Sequence, residues 1–339
     1  MTTTDAPSLL EAARLSRGLT QAELAKASGV AQGIISKFET GAIPADERLS
    51  VLARTLEVPT ELIDGTATQA PHTRVFHRKQ ASLPMKARNQ LQADMLLAHV
   101  RVSRLVGDRP HHQVPRLPLP ENRWYGPDDR AREVREQWGI PAGPIDNMVD
   151  VMERHGVPCL VWDVSSARVD AISSWPDDAP PIVLLGSHAP GDRLRFTIAH
   201  ELGHAVLHEV PSAESEVEAD IFASEFLMPE EDIRGDLADV SLTSLANLKR
   251  KWGVSIAALM RRARDLGTIS ESKYRSLNIE LSSAGMRKNE PVQIEREQPS
   301  LLAHLVKERT ASGEGLEALA DTALITVHEL EHNYLGDRA

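Results

Sequence analysis

Apolar positions recur at helical spacing along most of this chain and gather into short continuous runs in only a few places. Leu9 to Ser16 reads as a first helix. Thr20 with Glu23 three residues later forms a capping box, which opens a second helix through Ala27. Ser28-Gly29-Val30 supplies a tight turn, a third helix runs from Gln32 to Phe38, and Gly41 and Pro44 end the unit. Leu24, Ala25, Val30, Ile34, Ile35 and Phe38 are placed to lock two helices at a fixed angle, and Leu49, Leu52, Ala53 and Leu56 mark a further amphipathic helix. This is the helix-turn-helix plan, in which the second helix of the pair enters the DNA major groove. The alternative is a helical bundle used only for protein contacts.

The polar stretch Gly65 to Pro71 reads as a linker, and Leu83 to Val106 as one long helix with Leu91, Met95, Ala98, Val102 and Leu105 on one stripe. Arg109 to Pro127 is rich in proline and is expected to be extended. Helices are predicted near Asp128–Trp138 and Ile145–His155, then strands at Val157–Asp163, Val169–Trp175 and Pro181–Gly186. A helix starting at Gly191-Asp192 carries Leu194, Ile198, Leu202, Ala205 and Val206 inward, and Pro211 and Ser212 break it. A second runs from Ala213 to Met228, closed by Pro229. Further helices are expected at Leu242–Trp252, Ile256–Leu266 and Ser270–Leu277, with two more in the tail from Leu301 to Tyr334. In that tail Leu316, Leu319, Ala320, Ile325 and Leu330 suit a small bundle or a dimer contact. The fold class is therefore mostly α with a small α+β domain. We divide the chain into a helix-turn-helix domain (1–65), a basic linker helix with a proline-rich connector (66–127), a domain containing the sheet (128–265) and a helical C-terminal extension (266–339).

Charge narrows the partners. The 339-residue chain carries a net −11, so it is no general nucleic-acid coat and any DNA binding must be local. Residues 1–65 hold six Lys and Arg against nine Asp and Glu, leaving Lys26, Lys37 and Arg48 to make a locally basic face. Between Thr66 and Arg104, seven basic residues meet only Asp94. This stretch is either an arm adding phosphate contacts or a solvated connecting helix. A single cysteine, Cys159, excludes an internal disulfide framework and reads as a small core residue of a strand. With no signal-peptide pattern and no membrane-length apolar run, a soluble cytoplasmic protein is expected.

The candidate chemistry lies at His200-Glu201-Leu202-Gly203-His204. Residues four apart share a helix face, so His200 and His204 can offer nitrogens to one metal ion. Glu201, one step round the helix, can reach a water as general base without being a ligand. A zinc hydrolase takes three protein ligands and keeps an open position, which makes Glu216 on the following helix the expected third ligand. Asp220, one turn beyond it, is placed to orient a ligating histidine. His208, near the helix end, is expected to cap the terminus or pack beside the site, and Glu218 to be exposed. The donor that stabilises the oxyanion is open among His188, His208 and Tyr274. Ile182 to Leu185 is a candidate to pair with an extended substrate by strand addition.

The run Arg195 to His208, followed by Glu216 to Pro229, resembles the ImmA/IrrE family of zinc metallopeptidases, a likeness that spans about Asp146 to Arg262. It implies a zincin-like, gluzincin-like core with Zn2+ held by His200, His204 and Glu216, and with Glu201 as base. The activity it implies is site-specific cleavage of a transcriptional repressor. Leu19 to Ala25, Gly29-Val30, Ser36 to Gly41 and Pro44 are similar to the XRE family of phage-repressor-like DNA-binding domains. That likeness covers Leu9 to Ile63 and carries Gln21, Gln32, Gly33, Ser36 and Lys37 over as residues facing double-stranded operator DNA. Gly33 departs from the pattern, because it stands where a base-reading side chain is common.

The expectation is a DNA-binding transcriptional regulator with a zinc-dependent endopeptidase domain acting on a repressor or regulator protein. The rival is a regulator whose peptidase-like domain is a non-catalytic sensor or interaction module. An antitoxin-like interaction protein is a third reading.

Overall fold

A three-stranded sheet divides the interior of the molecule into two apolar cores, and one long helix separates the second of these from a third. The computed structural model describes residues 8–64, 84–107, 113–120, 124–162, 169–176, 179–210, 212–287 and 289–334. The linker 65–71 and the basic residues Arg74, Arg78 and Lys79 lie outside the described residues.

The N-terminal bundle comprises α1 (Leu9–Ser16), α2 (Gln21–Ser28), α3 (Gln32–Glu39), α4 (Glu47–Leu56) and the short α5 (Thr60–Ile63). Each boundary has a local cause. Thr20 and Glu23 close a reciprocal capping box at the start of α2, and Gly29 takes the left-handed φ of +75° that turns the chain into α3. Leu24, Ile35, Leu52 and Leu56 are fully buried between the helices. A bidentate ion pair from Arg14 to Glu39 (Nε–Oε1 2.6 Å, Nη2–Oε2 3.0 Å) ties α1 to α3 inside the bundle.

The described part of the basic stretch is the long helix α6 (Met85–Val106), which is enclosed on two faces and so is no solvated connecting helix. One face, with Ala93, Leu96, Leu97 and Val100, packs on the N-terminal bundle. The other, with Leu91, Met95, Ala98, Val102 and Leu105, packs on the sheet and the C-terminal helices. A helix apolar on two sides must be enclosed, and its charges need partners. Arg101 is buried and paired with Glu329 at 2.7 Å.

Beyond the connector come α7 (Pro127–Gln137), α8 (Met148–Arg154), β1 (Cys159–Trp162), β2 (Ala171–Ser174) and β3 (Ile182–Gly186). The α8 helix begins three residues later than its apolar pattern suggested, because Asn147 accepts the amide of Asp150 as its cap. The sheet order is β1-β3-β2, with β1 parallel and β2 antiparallel to β3. Val183 and Leu185 face the first core and Ile182 and Leu184 the second, which is why β3 reads as an unbroken apolar run. Cys159 lies in the first core, where burial pushes its thiol well above the usual range.

The chain then forms α9 (Gly191–Leu207), α10 (Ser215–Leu227), α11 (Glu230–Ile233), α12 (Leu242–Trp252), α13 (Ile256–Asp265) and α14 (Glu271–Ser283), the last extending beyond the expected end at Leu277. The tail holds three helices rather than two: α15 (Leu301–Ala311), α16 (Leu316–Ala323) and α17 (Val327–Tyr334). Leu319, Ala320, Ile325 and Leu330 are buried in the second core with α6, so the residues suggested for a dimer contact are used within the chain. No helix among the described residues is long and apolar enough to cross a membrane.

Asp94 on α6 is 1 % exposed where the N-terminal bundle meets the sheet. Desolvation raises its pKa to about 6, against the opposing hydrogen bonds from Ser16 and Trp162 and the charges of Arg101 and Arg17. The folded chain therefore holds this proton more tightly than the unfolded one, and stability falls as pH rises from about 4 to about 6. Asp94→Asn removes that cost, with an upper bound of about 3 kcal/mol. Thermal melts should show the variant more stable than wild type at pH 8, with the gap closing towards pH 4.

Candidate functional site

The α9 and α10 helices bring the predicted chemistry together because they approach closely at one residue. A side chain on Gly203 would place its Cβ 3.2 Å from the Ala219 Cα and from the Phe222 side chain, closer than ordinary contact, so α10 would have to yield by a few tenths of an ångström. Around it Leu202, Ala219, Phe222 and Phe226 are fully buried. At the start of α10, Ser212 and Ser215 each accept the other's backbone amide (3.2 and 2.9 Å), which fixes the turn that presents Glu216.

His200 Nε2 and His204 Nε2 lie 3.1 Å apart. Glu216 Oε2 is 3.8 Å from the first and Glu216 Oε1 is 3.6 Å from the second. A tetrahedral zinc site with bonds of about 2.0–2.1 Å separates its ligand atoms by roughly 3.3–3.4 Å. The three distances bracket that value, though the two to Glu216 run to different oxygens of its carboxylate, and one donor atom from each residue lies within 4.8 Å of the others, so the set could hold a single divalent ion. Both rings are buried and Glu216 is half-buried, which leaves the triad one side towards solvent.

Each member has an outer partner. His200 Nδ1 meets Asp220 Oδ1 at 2.8 Å, and the other oxygen of Asp220 accepts from Arg261 at 3.3 Å. His204 Nδ1 meets His208 Nδ1 at 3.0 Å, and His208 Nε2 meets Glu218 Oε2 at 3.0 Å. Burial pushes the His208 pKa down, against the pull of Glu218. Glu218 is thus not the simple exposed acid expected from its angular position, because the first turn of α10 lies beside the last turn of α9. Glu201 accepts a hydrogen bond from the Ser173 hydroxyl on β2, and Ser173 accepts the Trp175 indole N–H at 2.7 Å.

Ser173, Trp175 and Arg261 were missed in the sequence because they reach the site from elements far along the chain, with no local spacing to reveal them. The strand-addition expectation for Ile182 to Leu185 is corrected by the sheet order. β3 is central and both its edges are paired, so it has none to offer a peptide. Among the described residues the unpaired edge on the Glu201 side belongs to β2. His188 lies 3.6 Å from Asp170, and Tyr274 lies under the Arg264 guanidinium at 4.7 Å.

On the N-terminal bundle, Gln32, Gly33 and Lys37 are exposed along α3, and Ser36 is half-buried. Nothing lies within 4 Å of a Cβ added at Gly33. Gln21 is less free than expected, since its amide donates to Glu39 at 2.7 Å. Arg48 is paired with Asp46 and stacked 5.5 Å from the Phe38 ring, which leaves Lys26 and Lys37 as the cations of the expected basic face with no ion pair among the described residues.

Residues 152–264 match the family described as the IrrE N-terminal-like domain, and residues 10–63 match the helix-turn-helix family. No curated protein matches the chain. The two matches fall in the order and places of the two sequence resemblances, a helix-turn-helix segment followed by a peptidase-family segment.

Gly203→Val should destabilise the chain by roughly 1–3 kcal/mol through overpacking against α10. Denaturant unfolding of the variant beside wild type will measure the loss.

Proposed function

We propose that this chain is a DNA-binding transcriptional regulator whose second domain is a zinc-dependent site-specific endopeptidase, acting on a repressor or regulator protein to switch gene expression. The observation that carries the reading is the convergence of His200, His204 and Glu216 within 4.8 Å of one another, with Glu201 beside them. In this reading those three residues hold Zn2+, which supplies Lewis acidity to polarise a peptide carbonyl and make a water a better nucleophile.

The chain's own residues supply the rest. Glu201 accepts the proton of the attacking water and delivers it to the leaving amine. Ser173, itself held by Trp175, donates to Glu201 Oε2 and so fixes the carboxylate's rotamer. Asp220 accepts the Nδ1–H of His200 and keeps Nε2 directed into the site.

The DNA reading rests on the helix-turn-helix segment and the exposed side of α3. Gln32 reaches a base edge, Lys37 a phosphate, and Ser36 and Gln21 support the docked helix. At Gly33 the backbone can approach the groove closely, and the open space around it in the free protein is consistent with a surface that DNA covers.

Glu201→Gln should abolish peptide cleavage of a susceptible repressor while keeping about one zinc per chain. Residual cleavage at the wild-type rate would remove Glu201 from the role of base. Lys37→Ala should weaken operator and non-operator DNA alike and reduce the slope of log affinity against log salt by about 1. An unchanged slope would take Lys37 off the phosphate backbone.

A further inference from the structure

The two histidines of the triad are supported unequally. His200 has a carboxylate directly behind it, with Asp220 Oδ1 2.8 Å from its Nδ1. His204 has another imidazole, His208 Nδ1 at 3.0 Å, and the carboxylate comes one step later, with Glu218 Oε2 3.0 Å from His208 Nε2. A histidine that binds metal through one nitrogen carries its proton on the other and needs an acceptor there. Two N–H groups cannot face each other across 3.0 Å. If His204 donates from Nδ1, His208 must accept at Nδ1 and hold its own proton on Nε2, where Glu218 accepts it.

The arrangement is enclosed and cross-linked. The His208 side chain is 6 % exposed, and its backbone amide donates to the His204 carbonyl as the C-cap of α9. The two rings are tilted at 55° with centroids 5.1 Å apart, which directs nitrogen to nitrogen rather than stacking the faces. Glu218 belongs to α10, two residues beyond Glu216, so the chain of bonds from His204 through His208 to Glu218 joins the two helices a second time.

The geometry points to His208 and Glu218 as positioning residues of the metal centre, a relay that sets the tautomer and ring plane of His204. This rests on the zinc reading above. The spacing of His200, His204 and His208 would also suit a third ligand on one helix, but His208 addresses the Nδ1 of His204, the nitrogen turned away from His200 and Glu216.

The test is zinc affinity by competition with a chromophoric chelator, measured on the full chain beside its metal-free melting temperature. His208→Ala should weaken zinc binding about 10–100-fold. His208→Asn, which keeps an acceptor oxygen near the position of the ring Nδ1, should recover most of that loss although it cannot reach Glu218. Glu218→Gln, which keeps an acceptor but loses the charge, should fall between wild type and His208→Ala. Wild-type affinity in His208→Ala, or no recovery in His208→Asn, overturns the relay. If His208→Ala does not fold, Glu218→Ala decides, and unchanged affinity there overturns it equally. A wild-type chain that takes up no zinc overturns the metal reading itself, an outcome distinct from the other two.

Discussion

The absence of a side chain at residue 203 is the constraint on which the candidate site depends. With only hydrogen there, α9 and α10 can approach until Ala219 and Phe222 touch the α9 backbone, and that distance lets one carboxylate reach two imidazoles. Burial of Leu202, Phe222 and Phe226 makes the approach favourable, since each such side chain contributes about 1.5–3 kcal/mol on leaving water. That packing sets the helix spacing at which His200, His204 and Glu216 gather. Polar contacts at the far ends of the rings then fix their orientation.

A second constraint runs through α6. Because one of its faces belongs to the N-terminal bundle and the other to the core behind the sheet, the bundle is docked rather than tethered. The sheet has a comparable part, with the α9 and α10 core on one face and α6 with the C-terminal helices on the other. Ser16, Asp94 and Trp162 bring side chains from α1, α6 and β1 to one buried polar junction. The buried Arg101–Glu329 pair joins α6 to α17, while Arg14–Glu39 joins α1 to α3 within the bundle.

Much of this was legible in the chain. The capping box at Thr20 and Glu23, the stripe on Leu91 to Leu105 and the apolar run before α9 gave helices and strands close to those observed. The cluster that could hold a metal ion was legible too, since His200 and His204 share a helix face by spacing alone and Glu216 lies in the first turn of the next helix. What was misjudged has a common cause. The basic stretch looked like a surface because its charges were counted along the chain, yet Arg101 is buried against Glu329, more than two hundred residues away. Glu218 looked exposed and Arg48 looked free for the same reason. A partner from another element is invisible to periodicity.

The sequence by itself determined the local elements, the two domain types and the residue types of the candidate centre, because capping, periodicity and i to i+4 spacing act within a few residues. Tertiary structure alone decided which strand lies at the centre of the sheet, which acid supports which imidazole and whether α6 faces water. These depend on how distant elements pack, and a helix face or strand edge has no fixed surroundings until the opposing layer is in place.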